Sequence, residues 1–487
     1  MSRTAEPTAE AVAAAPESLG RRASRGAVAS VIGQGASQGL RLVGNLLLSH
    51  MLFPEAFGLM ALVNMLQLGL QALSDLGLQP AIVRHPRGDE RNFLDTAWTI
   101  GVARGVVLWV CGAALALPMA AFYHEPALAA IVPVATISAL LGGFTSTKIA
   151  SLTRHIRPTP VLMIEVSSQA VGLVAMIAMA KWRPSVWALV VGGIAAGIVR
   201  MALSYVAMPG PMNRFRWEKS ARADLFTFGK WLFVSSIFTF LYMRIDVGIL
   251  GRLLSVEVLG VYSIGIILSQ VVRDVLQQIT RFVIMPALSV SHRAGNEALA
   301  GSFAQVRQMS LPAALLAILG AALLAPSFFY YLYDPRYHDA AWIAQLSMLV
   351  VWFLYLTDVA GSALLAAGDS RSWAFVNAVR AIATAVGCVA GFAIGGVPAL
   401  LLGSAVAALV AYLVSARLLV PHGFEALRGD LPYTALALAL GVVGAGVPWI
   451  GAGGDAGVVA WRSLFVTPLV LVPYGLWVLR RLLRARG

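Results

Sequence analysis

Charge is what this sequence most lacks. Asp, Glu, Lys and Arg make up 12% of its 487 residues, where a soluble protein carries about 25%, and so small a share cannot cover a globular surface. Cysteine is scarcer still. The chain has 2, Cys111 and Cys388, both inside apolar runs. A disulfide framework or thiolate metal centre therefore has no support, and both are read as small buried residues. No nucleotide-binding loop, metal-ligand cluster or nucleophile–base arrangement occurs, which leaves an ATP-driven pump, a hydrolase and any bound metal or cofactor without a basis. The opening stretch MSRTAEPTAEAVAAAPESLG lacks the apolar core behind a basic start that a cleaved signal requires. Residues 1–25 are expected to form a disordered cytoplasmic tail, with the first apolar span as an uncleaved signal.

Hydrophobic sequence is there in excess, at 59% of residues and a mean hydropathy of +0.79. It arrives in blocks of about 20 residues, the length of helix that crosses a bilayer. Backbone groups in hydrocarbon must be satisfied internally, so the blocks predict an all-α polytopic membrane protein with about 14 transmembrane helices. They group as a six-helix lobe over 26–208, a loop over 209–225, a second six-helix lobe over 226–420, and a two-helix extension with a basic tail over 421–487. The net charge of +13 is an orientation signal and not a nucleic-acid surface. Arg84, Arg87, Lys148, Arg154 and the 209–225 loop load one side of the membrane, against Lys181, Arg183, Arg252, Arg336 and Arg462 on the other. By the positive-inside rule both termini are expected in the cytoplasm, with anionic-lipid contact as a by-product.

The two lobes carry an internal match. Ser49–Leu62 aligns without gaps to Gly251–Ile264, pairing Leu52 with Leu254, Glu55 with Glu257 and Gly58 with Gly260. Both stretches fall at the turn between the first two helices of their lobe. Parallel repeats of this kind are a transporter architecture, with the substrate path between the halves.

Polar residues then recur at helical spacing inside the apolar spans. The first helix carries Gln34, Gln38, Arg41 and Asn45; the second carries Asn64, Gln67, Gln71, Ser74 and Asp75. Residues three or four apart share a helical face, so each helix has one hydrophilic seam. In the second lobe Ser235, Thr239, Tyr242 and Asp246, with Arg244 nearby, repeat the design on the first helix, and Ser263, Ser269, Gln270, Arg273 and Gln277 on the next. Such seams serve either as interhelical hydrogen-bonding glue or as the wall of a wet cavity, and their density favours the cavity. An ion at a helix centre costs about 2.5–3.5 kcal/mol on insertion scales, so Arg41, Arg104, Arg200, Arg244, Arg380, Glu165, Asp246 and Asp358 call for a reason. Asp246 is either a salt-bridge partner of Arg244 or a cation or proton site, and Asp358 is open in the same way. Glu165 pairs with Arg380 only if the halves bring them together. Guanidinium keeps its charge and matches phosphate geometry, while amides and hydroxyls suit sugar hydroxyls as donors and acceptors.

At LFPEAFGLMALV (Leu52–Val63), SDLGLQPAIVR (Ser74–Arg84), LGVYSIG (Leu259–Gly265) and ALLAAGDSR (Ala363–Arg371), the chain resembles the Wzx-type polysaccharide flippases of the multidrug/oligosaccharidyl-lipid/polysaccharide exporter superfamily. The likeness runs from about Arg25 to Leu419, and the last helix pair fits fourteen-helix members. It implies two pseudo-symmetric lobes, alternating access in a bacterial inner membrane, and undecaprenyl-pyrophosphate-linked oligosaccharide as cargo, with a polysaccharide polymerase and export machinery as downstream partners. Members of the group hold the anionic head with cavity arginines, for which Arg41 and Arg244 are the matching positions. Substrate-binding residues expected on this basis are Arg41, Arg244, Gln34, Gln38, Asn45, Asn64, Gln67, Gln71 and Arg273, with Asp246 and Asp358 as coupling-ion or salt-bridge candidates. A multidrug or lipid II exporter of the same superfamily is the nearest alternative. A membrane polymerase or ligase, the enzyme alternative, needs a long outer loop that the short connections here do not supply.

Overall fold

The computed structural model describes residues 33–74, 78–155, 158–207, 210–222, 240, 241, 243–292, 295–446, 448, 450 and 455–484. The expected tail 1–25, and with it Asp75, Ser235, Thr239 and Tyr242, lie outside the described residues. Within them the structure is helical. The first lobe comprises α1 (33–49), α2 (Pro54–Ala72), α3 (Arg91–Tyr123), α4 (Ala127–Phe144), α5 (Pro158–Trp182) and α6 (Trp187–Val206). The second comprises α7 (described over 243–253), α8 (Val256–His292), α9 (Asn296–Leu332), α10 (Ala340–Ala366), α11 (370–394) and α12 (397–419), and the extension is α13 (Leu427–Gly446) and α14 (Ala456–Arg484).

Nine helices among the described residues are long and apolar enough to cross a membrane. One of them, Ser370–His422, holds two crossings, because Gly395 and Gly396 break it with φ/ψ of −157°/31° and 63°/−145°. Only glycine takes the second of these at no steric cost, and Pro398 in the next turn fixes the restart as α12. With α1, α2, α7 and α13 at their expected places, the chain is a multi-pass membrane protein with the fourteen-helix order read from its apolar blocks. Helix α2 falls short on apolarity because its seam of Asn64, Gln67 and Gln71 interrupts the run. Helix α8 runs past its expected end near residue 280, through a π turn at Thr280–Ile284. Pro286 follows that turn and has no N–H to offer Phe282, a gap such turns absorb.

The matched stretches are two helix starts that cross each other. Pro54 opens α2, with Glu55 in the first turn. Ser255 caps α8, accepting from the Val258 N–H, with Glu257 in its first turn. Both acids complement the positive end of the helix dipole. A Cβ on Gly58 would lie 1.8 Å from the carbonyl oxygen of Val256, and a Cβ on Gly260 would lie 1.8 Å from that of Pro54. Pro54 and Val256 are themselves partners in the repeat register, so the contact is reciprocal about a pseudo-two-fold axis. Apolar side chains of both lobes close around it. Leu62, Ile131 and Val132 pack with Leu250, Leu259 and Leu400 on one flank, and Leu52 and Phe57 pack with Phe329 and Tyr337 on the other. The Tyr337 hydroxyl donates to the Leu52 carbonyl at 3.0 Å. All of these lie in the half of the bundle that holds the turns before α2 and α8.

Among the described residues, the hydrogen bonds and ion pair that anchor the extension run to the second lobe. The Ser327 hydroxyl of α9 donates to the Ala460 carbonyl of α14 at 2.8 Å, and the Tyr474 hydroxyl donates to the Pro312 carbonyl at 3.2 Å. Arg307 of α9 and Asp430 of α13 form an ion pair in which both residues are buried.

Candidate functional site

The α1 seam meets α8 across the lobe boundary, in the half of the bundle away from the glycine crossing. Gln38 donates from its Nε2 to Oδ2 of Asp274. Gln34 and Arg41, on the same face of α1, are exposed, and Asn45 is half-buried. On α8, Gln270 and Gln277 flank Asp274 at helical spacing and are exposed as well. Arg41 makes no ion pair or hydrogen bond among the described residues, and its side chain is exposed.

The α2 seam turns a different way. Gln67 donates to the Ala135 carbonyl of α4 at 2.9 Å, which is interhelical glue within the first lobe. Gln71 lines a cavity of about 620 Å³ inside that lobe, walled by α2 to α6, and Asn64, two turns away on the same face, is exposed. Arg104 reaches into this region to close the end of α2, donating to the Ser74 hydroxyl at 2.9 Å and the Gln71 carbonyl at 3.1 Å. This is the favourable placement of a cation at a helix C-terminus. Glu165 on α5 pairs with Arg200 on α6 at 3.2 Å, so its partner is a neighbour in its own lobe and not Arg380. Sequence reasoning missed the link between this cavity and α1. The Ser37 hydroxyl donates to Oε1 of Gln169 at 2.8 Å, and Nε2 of Gln169 donates to Oε1 of Glu165 at 3.0 Å. Ser37 lies three residues after Gln34 and four before Arg41, so helical spacing could have placed it on the α1 seam, which was instead read through Gln38.

The second lobe holds a smaller cavity, of about 120 Å³, lined by Asp246, Tyr262, Gln270, Arg273 and Ser404 among others. Asp246 has a direct partner that sequence reasoning did not name. Its Oδ2 accepts from the Tyr262 hydroxyl at 2.5 Å, while its buried Oδ1 accepts from none of the described residues. Arg244 lies within electrostatic reach of that carboxylate, and the Nε of its half-buried side chain finds no acceptor among the described residues. Arg41 and Arg244 thus differ in setting. Asp358 pairs with Arg380 at 3.3 Å, and Arg380, only 4% exposed, also donates to Asn377 at 2.8 Å.

The inter-lobe segment Gly210–Arg222 is strapped to the end of the first lobe. Backbone N–H groups of Arg214, Arg216 and Glu218 donate to Asp95, Thr99 and Thr96 of α3 at 3.1, 3.0 and 3.2 Å, the two-residue period of an extended chain. Phe215 packs on Trp98 at 4.8 Å. Glu218 pairs with Arg87 at 2.5 Å, and hydrogen bonds from Ser220 and Arg87 hold its carboxyl below the usual carboxylate range.

The model of a family described as polysaccharide biosynthesis protein matches residues 47–341. The chain is 22% identical over 350 residues to the lipopolysaccharide biosynthesis protein WzxC of Escherichia coli (strain K12), covering 72% of this chain and 71% of that protein. Among solved structures it is similar to the lipid II flippase MurJ in an inward closed conformation, with a TM-score of 0.71, 10% identity, and coverage of 93% of this chain and 99% of that one. It is also similar to an inward-facing multidrug resistance MATE family transporter of the MOP superfamily, with a TM-score of 0.62, 12% identity, and coverage of 82% and 95%. At such low identities these two likenesses show the shared fold. With the family model spanning more than half of its length, the chain belongs to the polysaccharide biosynthesis protein family.

Proposed function

We propose that this protein is a flippase that moves an undecaprenyl-pyrophosphate-linked oligosaccharide, a lipopolysaccharide or exopolysaccharide precursor, across the bacterial inner membrane by alternating access. The observation that carries the reading is the meeting of the polar seams of α1 and α8 across the lobe boundary, where Gln38 donates to Asp274, with the exposed Arg41 about one turn along α1 and without a partner among the described residues. The cargo sets two opposing requirements. Its pyrophosphate and glycan cannot enter hydrocarbon, while its polyprenyl chain can stay there. A cationic cleft between two lobes, open laterally to lipid, meets both. Arg41 is assigned to the diphosphate through charge-assisted hydrogen bonds, with Arg244 and Arg273 reached as the lobes rearrange. Gln34, Gln38, Asn45, Asn64 and Gln71 are assigned to hydroxyls, and Gln67 keeps its place as glue. Asp246, which accepts from Tyr262 and lies near Arg244, stands as the candidate coupling group, while Asp358 is spent on Arg380.

In this reading the arginine-rich end of the bundle and both termini face the cytoplasm, so the glycine crossing seals the outer side. The product is delivered to a polysaccharide polymerase and export machinery. The test is a deletion strain paired with proteoliposomes. Lipid-linked repeat units should build up on the cytoplasmic face of the deletion strain, and purified protein should move the extracted units between leaflets, with Arg41→Ala abolishing movement. Accumulation on the outer face would indicate a polymerase, and transport of lipid II or organic cations in place of the repeat unit would reassign the cargo.

A further inference from the structure

The cavity inside the first lobe carries more chemistry than the lobe needs to fold. At about 620 Å³ it falls in the range of sites that enclose a small ligand, about 300–1,000 Å³. Its walls offer the amides of Gln71 and Gln169, the Glu165–Arg200 ion pair and the hydroxyl of Thr145, with the Trp98 ring beside them. Amides and hydroxyls both donate and accept. The cavity cations are engaged: Arg200 is paired with Glu165, and Arg104 closes the end of α2. The lining is therefore suited to neutral hydroxyl groups, in contrast to Arg41, which has no partner among the described residues.

Two glycines on the walls keep this space open. A Cβ on Gly142 of α4 or on Gly193 of α6 would meet no atom within 4 Å. A mid-helix glycine such as Gly193 weakens a helix relative to alanine, and it does not repay that cost by letting another backbone approach, as Gly143 does where its Cβ would meet the Gly101 carbonyl at 2.6 Å. The cavity also lies beside the cleft. Gln169 on its wall is hydrogen-bonded to Ser37, which sits about one helical turn, 5.4 Å, from Arg41 along α1.

We propose that the cavity of the first lobe is a glycan subsite: it takes the sugar residues of the cargo while Arg41 holds the diphosphate in the adjoining cleft. This rests on the flippase reading above. It makes the first lobe the element that selects among oligosaccharides, and leaves the cleft to recognise the shared lipid diphosphate.

The experiment measures binding of two probes to the full-length protein in nanodiscs: the lipid-linked repeat unit extracted from the deletion strain, and undecaprenyl pyrophosphate without sugar. Gly193→Leu and Gly142→Leu each place a Cβ in open space and add side-chain volume to the cavity. Each should weaken the glycan-bearing probe about tenfold while changing the sugarless one by less than about twofold, a tenfold change being about 1.4 kcal/mol. Gln169→Leu, which removes hydrogen bonding with little change in volume, should move in the same direction, so the inference does not depend on one variant folding. Equal losses for both probes, or unchanged affinity for the glycan-bearing probe in variants that remain monodisperse, overturn the subsite. Wild-type protein that binds neither probe overturns the flippase reading itself.

Discussion

Gln38 of α1 donates to Asp274 of α8, and in doing so ties the first helix of one lobe to the second helix of the other on the side away from the glycine crossing. A hydrogen bond to a charged acceptor contributes about 1.5–3 kcal/mol, less where water competes. Gln38→Leu is therefore expected to favour the form in which the lobes are apart at this end by about tenfold, the equivalent of about 1.4 kcal/mol. Spin-label distances between the α1 and α8 ends check this. An unchanged distance distribution would mean that the contact does not hold the lobes together.

The crossing itself is intolerant of side chains. Gly260→Ala and Gly58→Ala each place a methyl group inside a carbonyl contact of the opposite lobe, and a backbone atom cannot swing aside as a flexible side chain can. Each is expected to cost at least the 1–3 kcal/mol typical of overpacking, read as a lower melting temperature in detergent. The two losses should be similar, because the contacts are reciprocal.

The ion pair of Arg307 with Asp430 is sealed from water, with residues 6% and 3% exposed. Tyr412 donates to the same carboxylate at 2.5 Å, and Arg307 donates to the Glu425 carbonyl at 3.2 Å. Removing one partner of such a pair strands the other charge, at a typical cost of about 3–5 kcal/mol. Arg307→Ala should therefore destabilise the second lobe and loosen α13. The double variant Arg307→Leu with Asp430→Leu should recover much of the loss in a thermal melt.

The ALLAAGDSR stretch owes its pattern to a turn. Gly368 has φ 83°, and Asp369 caps α11 by accepting from the Ser372 N–H at 3.0 Å, with His422 beside it at 3.2 Å. The bonds to Ser372, and then to His422, hold the Asp369 carboxyl at about 2, below its ordinary 3.8. A depressed carboxylate stabilises the fold in full above its ordinary value and loses that contribution as pH falls toward its folded one. The melting-temperature gap between wild type and Asp369→Ala should hold above about pH 4 and narrow between there and about pH 2. A gap that persisted unchanged would show that the charge of Asp369 does not contribute.

The spans were legible in the sequence because a bilayer imposes a length and a polarity on every crossing, and the lobe repeat was legible because Glu55/Glu257 and Gly58/Gly260 keep one register. What no period encodes is rotation about the helix axis. Successive residues lie about 100° apart, so the one-residue offset between Arg41 and the position matching Arg244 is enough to leave one exposed and the other half-buried beside Asp246 and Tyr262. The same ignorance left Glu165 without its partner. Arg200 lies on the adjacent helix of the hairpin, and which faces of α5 and α6 meet depends on Gly172 and Gly192, where each Cβ would crowd the other's carbonyl. The α2 seam was visible as a stripe, but only packing against α4 shows that Gln67 spends its amide on Ala135.

A leash tied down along its length passes tension only from the last knot. Gly210–Arg222 is knotted to α3 at Arg214, Arg216 and Glu218 and to Arg87 by its carboxylate. Were the second lobe to move, the pull would reach first Ala221, buried against Ile82, Phe93 and Ala97, then the bonds of Arg87 to Ser220 and Glu218, and only then the buried Trp98 beneath.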